Sequence, residues 1–99
     1  MRVFSVLLVL VFCSVSGDAF AQADAAERTR LLAAYEATHD VSTGCTLGEI
    51  ERRLGLLEDA ARHLDAAIEV ARVSPGTNET ATLSACRFNR ARVYEDAGD

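Results

Sequence analysis

Leu47, Ile50, Leu54, Leu57, Ala61, Leu64, Ile68 and Ala71 follow one another at alternating steps of three and four. That spacing draws one apolar stripe along an α-helix, and no strand of period two can present it. Two architectures satisfy it. One is a continuous helix over residues 46–72 with a coiled-coil seam. The other is a pair of helices broken near Gly55 and folded back, each keeping the same inner face. A glycine costs about 1 kcal/mol inside a helix relative to alanine, and Gly55 sits where a hairpin turn would be needed. No polar turn cluster surrounds it, so the stripe alone leaves both open.

The rest of the chain is also expected to be helical. No segment alternates with period two over a useful length, and Pro75 is the only proline. Residues 24–38 (DAAERTRLLAAYEAT) are rich in strong helix formers, with Leu31, Leu32 and Tyr35, and Ala25 and Ala26 behind them, as one apolar stripe. His39–Gly44 has loop composition, and Thr46 followed by Glu49 has the form of a capping box that starts the next helix. Val73–Thr80 (VSPGTNET) is the clearest break. It contains the glycosylation-type triplet Asn78-Glu79-Thr80, read as a plain loop triplet. A last helix is expected over about residues 81–97, with Gly98 as its stop. The fold class is all-α.

Laid against itself at an offset of 43 residues, the chain places Cys45 on Phe88, Gly48 on Ala91, Ile50 on Val93 and Gly55 on Gly98. Both copies resemble the tetratricopeptide repeat over residues 45–98: one full repeat and the first helix of a second. Leu47-Gly48 is similar to the family's Leu-Gly pair, Gly55 to its turn glycine, and Ala60-x3-Leu64 with Ala67 to its second-helix signature. Asn89-x-Ala91-x2-Tyr94-x3-Gly98 is similar to another first helix. Gly44, Glu51, Leu64 and Arg90 stand where the family prefers Trp, Tyr, Phe and Leu, and the period exceeds the usual 34 or so residues.

The resemblance implies antiparallel helical hairpins of α-solenoid type, three to four helices in all, with Gly55 turning the chain. Gly48, Ala60 and Ala67 would allow close helix approach, while Leu64 and Tyr94 would fill the gaps between neighbours. It also implies a concave face carrying Thr46, Glu49, Arg52, Arg53, Phe88, Asn89, Arg92, Glu95 and Asp96. Among these, Glu49, Arg52, Arg53, Phe88, Asn89 and Arg92 form a candidate groove for an acidic or C-terminal carboxylate of an extended peptide. Ordinary ion pairs on a solvated helix face, such as Glu49–Arg53, are the competing interpretation.

Composition places this region outside the cell. Arg2 precedes an apolar run from Val3 to Val15, and Ala19-Phe20-Ala21 is an A-x-A cleavage pattern, so residues 1–21 read as a signal peptide cleaved after Ala21. The run is too short to span a bilayer, and no stable membrane insertion is expected after cleavage. Phe12 before Cys13 argues against a lipoprotein cysteine. All ten basic residues are arginine and alanine is common, as in GC-rich bacterial genomes, so the destination is periplasmic or extracellular. The remaining 78 residues comprise a capping helix and loop (22–44) and the repeat region (45–99), near the lower size limit for a domain folding alone.

Cys45 and Cys86 then form an even pair, read as one disulfide worth about 4 kcal/mol on the chain-entropy model. Two buried thiols are the alternative. The net charge of −5 offers no phosphate-tracking surface, so no nucleic-acid partner is expected. Neither His39, in a loop, nor His63, on the polar side of its helix four residues after Asp59, has metal-ligand spacing. No nucleophile, base and orienting group converge, so neither cofactor nor catalysis is expected.

The expected role is thus an exported protein–protein interaction module or adaptor, with a protein or peptide partner. A self-associating coiled-coil-like structural protein and a disulfide-stapled inhibitor or cofactor of an envelope enzyme stand as alternatives. Homo-oligomers fit either a repeat with an open end or a coiled coil.

Overall fold

A computed structural model describes the backbone of residues 2–73 and 80–98 and the side chains of residues 19–73 and 81–98. Within them the chain is all-α, with the elements α1 (Arg2–Thr38), α2 (Val41–Arg53), α3 (Leu57–Val73) and α4 (Thr80–Asp96). The expected loop around Pro75 and most of the Asn78-Glu79-Thr80 triplet lie outside the described residues, as do the side chains of the apolar N-terminal run.

The stripe from Leu47 to Ala71 is divided between two helices. Gly55 has φ +79°, a left-handed conformation that ends α2, and its N–H donates to the Arg52 carbonyl. The unbroken-helix alternative is therefore not the structure. The chain reverses over Leu54–Leu56, and α3 returns along α2; the α2 half of the stripe, Leu47 and Ile50, packs with α1, and the α3 half, Leu64 and Ile68, packs with Cys45 and with α4. Leu47 and Leu64 are fully buried, with Ile50 and Ile68 close behind. Flanked by α1 and α4, the hairpin buries the stripe without a second chain.

Small residues set how near these helices come. A Cβ on Gly48 would lie 2.8 and 2.9 Å from the two Cδ atoms of Leu64 and closer still to its Cγ. Ala60 and Ala67 are buried on the facing side. Gly44 has a different neighbour: a Cβ there would meet the Tyr35 ring 2.7 Å away. The absence of a side chain at Gly44 leaves the space that this tyrosine from α1 fills.

Helix α1 packs on α2 through Leu31 and Tyr35, which cluster with Leu47 and Ile50. Ala25 and Ala26, expected behind that stripe, are exposed instead, because the buried side of α1 runs through Arg28 rather than through them. Helix α1 ends at His39, whose left-handed φ of 54° lets its N–H donate to the Tyr35 carbonyl at 2.7 Å.

The start of α2 also differs from expectation. Asp40, not Thr46, is the N-cap, accepting from the Thr43 N–H at 3.0 Å. Val41–Gly44 are thus helical, and Thr46 is inside the helix, donating to the Ser42 carbonyl. The loop-like composition of residues 39–44 is that of a capped helix start, since Asp, Ser and Thr favour both.

Helix α4 lies against both α2 and α3. Cys86 and Val93 are buried there with Cys45, Leu64, Ala67 and Ile68. The expected disulfide joins Cys45 to Cys86, with Cα atoms 5.2 Å apart. Gly98, φ +88°, stops α4 as expected. No helix among the described residues is long and apolar enough to cross a membrane.

Candidate functional site

Two polar assemblies stand out, one on the surface between α2 and α4 and one inside the molecule. The surface assembly holds the expected groove residues. Glu49 and Arg52 are one turn apart on α2, and Arg52 chelates Glu49 through Nε and Nη2 at 3.1 and 2.8 Å. Its remaining Nη1 donates to Asp96 on α4 at 2.9 Å. Arg92 of α4 approaches the same Glu49 at 3.6 Å and stacks over the Phe88 ring, 5.7 Å from its centroid. Phe88 itself is 63% exposed. Asn89 is half-buried beside them on α4.

The structure therefore gathers Glu49, Arg52, Phe88 and Arg92, with Asn89 nearby. Arg53 is directed elsewhere, donating to Asp24 of α1 at 3.0 and 3.2 Å. The expected Glu49–Arg53 pair is replaced by Glu49–Arg52. This network holds the Glu49 carboxyl below its ordinary range, chiefly through the hydrogen bonds from Arg52, and raises the Arg52 guanidinium through Glu49 and Asp96. Arg52 is committed to acids of its own chain, whereas Arg92 is held loosely and 40% exposed. Of Arg52, Arg53 and Arg92, the last is the cation most available to an incoming carboxylate.

The internal assembly was not visible as a site in the sequence. Glu51 is fully buried. It accepts from Arg28 Nε at 2.9 Å and lies within hydrogen-bonding distance, 2.6 Å, of His63 Nδ1. Arg28 reaches on to Asp59 at 3.4 Å. Three helices thus meet on one carboxylate. His63 is 8% exposed, with the edge of Tyr35 against its ring at 5.8 Å; burial also pushes the Tyr35 phenol up.

The expectation of a solvated His63 is overturned because the residue falls between Ala60 and Ala67 on the buried side of α3. That placement was legible: Ala60, His63, Leu64 and Ala67 keep the i, i+3, i+4, i+7 spacing of a helix face. Glu51 likewise follows Leu47 by four. An acid and an imidazole on facing apolar stripes were the available signal.

Helix α4 has its own polar anchor. The Tyr94 hydroxyl donates to Asp65 Oδ2 at 3.2 Å, and Arg90 Nε lies 2.7 Å from Oδ1 as an ion pair without the alignment of a hydrogen bond. No group of three or more metal-ligating side chains occurs among the described residues.

Neither assembly has the form of a reaction centre. The buried acid–imidazole pair is sealed under three helices, with its carboxylate occupied by Arg28. The α2–α4 surface presents an aromatic ring, a stacked guanidinium and a half-buried amide, a combination suited to binding a chain segment. Comparison with known proteins returns no match: no family model, no curated protein and no solved structure is similar to the chain.

Proposed function

We propose that the chain is an exported helical-repeat module of tetratricopeptide type, which binds a segment of another protein and does no chemistry of its own. The observation that carries this reading is the exposed Phe88 with Arg92 stacked on it, at the seam between α2 and α4. A large aromatic left in water beside a loosely held guanidinium costs solvation that a partner would recover. The repeat assignment is supported by the shared register of α2 and α4, by Gly55 at the turn and by the close Gly48–Leu64 packing. Export is supported by the apolar run, the A-x-A pattern and a disulfide that would persist only in an oxidising compartment.

The partner is an extended segment with an acidic side chain or C-terminal carboxylate for Arg92 and an apolar residue for Phe88. Fluorescence anisotropy against a library of acidic peptides tests this. Affinity should fall about tenfold or more on Phe88→Ala or Arg92→Ala, as for a central anchor, and stay unchanged on Arg62→Ala, far from the seam. Binding indifferent to the first two substitutions, or absent throughout the library, removes the reading. Mass spectrometry of the accumulated chain checks export, with Gln22 expected as its first residue.

A further inference from the structure

Helices α2 and α4 match at a 43-residue offset, and α4 leaves Arg87, Phe88, Ala91 and Glu95 exposed. At the 43-residue offset, Ile50 and Val93 are both buried, and Glu51 and Tyr94 are both held by a polar group of the preceding helix, Arg28 from α1 and Asp65 from α3. Helix α1 stands to α2 as α3 stands to α4. Within one chain α2 then continues onto α4 through three contacts. These are the Cys45–Cys86 disulfide, the Arg52–Asp96 pair at 2.9 Å and the Glu49–Arg92 approach at 3.6 Å.

Moving those contacts forward by 43 residues asks what α4 would meet if another α1–α2 unit followed it. Cys45, Arg52 and Glu49 become Phe88, Glu95 and Arg92. Their counterparts Cys86, Asp96 and Arg92 become Thr43, Arg53 and Glu49 of the following unit. Both charge pairs remain opposite in sign, Glu95 with Arg53 and Arg92 with Glu49, each with its polarity reversed. The position that is a half-cystine on α2 is an exposed phenylalanine on α4. Glu95 is exposed and makes no ion pair among the described residues. Arg53 is half exposed and holds only Asp24.

We infer that copies of this chain stack head to tail, α4 of one copy lying against α1 and α2 of the next as α2 lies against α3 and α4 within a copy. The occupant of the open face is a second copy because its surface carries the required charges in the required register. The interface is heterologous, so it propagates into an open series or closes into a ring. It rests on the 43-residue register and not on peptide binding. Phe88 and Arg92 would be covered in every copy except the last.

Sedimentation velocity on the full chain, from low to high micromolar concentration, tests this. The wild-type chain should give a concentration-dependent series extending beyond a dimer and weakening with salt. Glu95→Arg removes the α4 face and Arg53→Glu the α2 face, and each alone should weaken association about tenfold or more. Mixed in equal amounts, the two variants should recover an alternating series, because every junction then joins opposite charges, the native Glu95–Arg53 pair at one and the two introduced charges at the next. Both substitutions in one chain should restore the series with its charges exchanged. Phe88→Ser, at an exposed position, removes the contact without changing charge, and circular dichroism confirms that each variant stays helical.

A wild-type chain that remains monomeric overturns the inference. So does association unmoved by these substitutions, as the apolar N-terminal run would drive, or a mixture that recovers no association. Peptide binding can fail while stacking holds, and the reverse, because sedimentation is measured without peptide.

Discussion

Helices α2 and α4 carry the same pattern of small and apolar residues 43 positions apart, yet they live in different surroundings. In α2, Gly44, Leu47, Gly48 and Glu51 are all buried, covered by α1 on one side and α3 on the other. In α4 the matching residues are Arg87, Arg90, Ala91 and Tyr94, and the first three are exposed. A shared pattern fixes which way a helix faces its predecessor, through Ile50 in one case and Val93 in the other. What lies on the far side is decided by its neighbours. Arginines at the uncovered positions keep this face of α4 wettable.

The comparison can be broken most severely at the bond that ties the two helices together. Replacing Cys45 and Cys86 with alanine, or reducing the protein, should lower stability by about 4 kcal/mol, read as a drop in denaturation midpoint. Next is the buried carboxylate. Glu51→Ala strands Arg28 and His63 and should cost about 3 kcal/mol or somewhat more. Its counterpart Tyr94→Phe loses one hydrogen bond, about 1 kcal/mol.

A smaller contrast separates the two small residues. Gly48→Ala should destabilise by about 1–2 kcal/mol, because the clash with Leu64 outweighs the gain in helix propensity. Ala91→Leu, at the open counterpart, should stay within about 0.5 kcal/mol.

The smallest effect is one of pH. The Glu49 carboxyl is held low in the folded state by Arg52, so its contribution is present above the unfolded carboxyl's range and is lost as pH falls through the folded value. An acid titration of stability should therefore flatten in Glu49→Gln relative to wild type.

Much of this architecture could be read from spacing. The 3–4 stripe specifies helix, and Gly55, between Leu54 and Leu57, marks where it folds back. An even cysteine count suggested the pairing that the packing of α2 on α4 accommodates. The start of α2 was less legible, because Asp40, Ser42 and Thr43 suit a loop and a helix cap equally. The Glu51 cluster was hidden for a different reason. Its cation, Arg28, is remote in sequence, and only the docking of α1 brings it to the carboxylate. Arg52 and Arg53, adjacent in sequence, serve different helices for the same cause: a step of one residue turns the second guanidinium away from α4 and toward Asp24.

The disulfide also sets the path that tension would take through the chain. Cys45 and Cys86 close a covalent ring that contains α3, so a pull applied to the two ends passes from α2 directly into α4 and leaves α3 unloaded. Stretching the oxidised chain should extend only the segments outside the ring. After reduction, a further contour of roughly 140 Å, about 3.4 Å for each residue enclosed, becomes available. A strand of such units anchored in an oxidising compartment would lengthen under load by a fixed and limited amount, with part of its length held in reserve against a reductant.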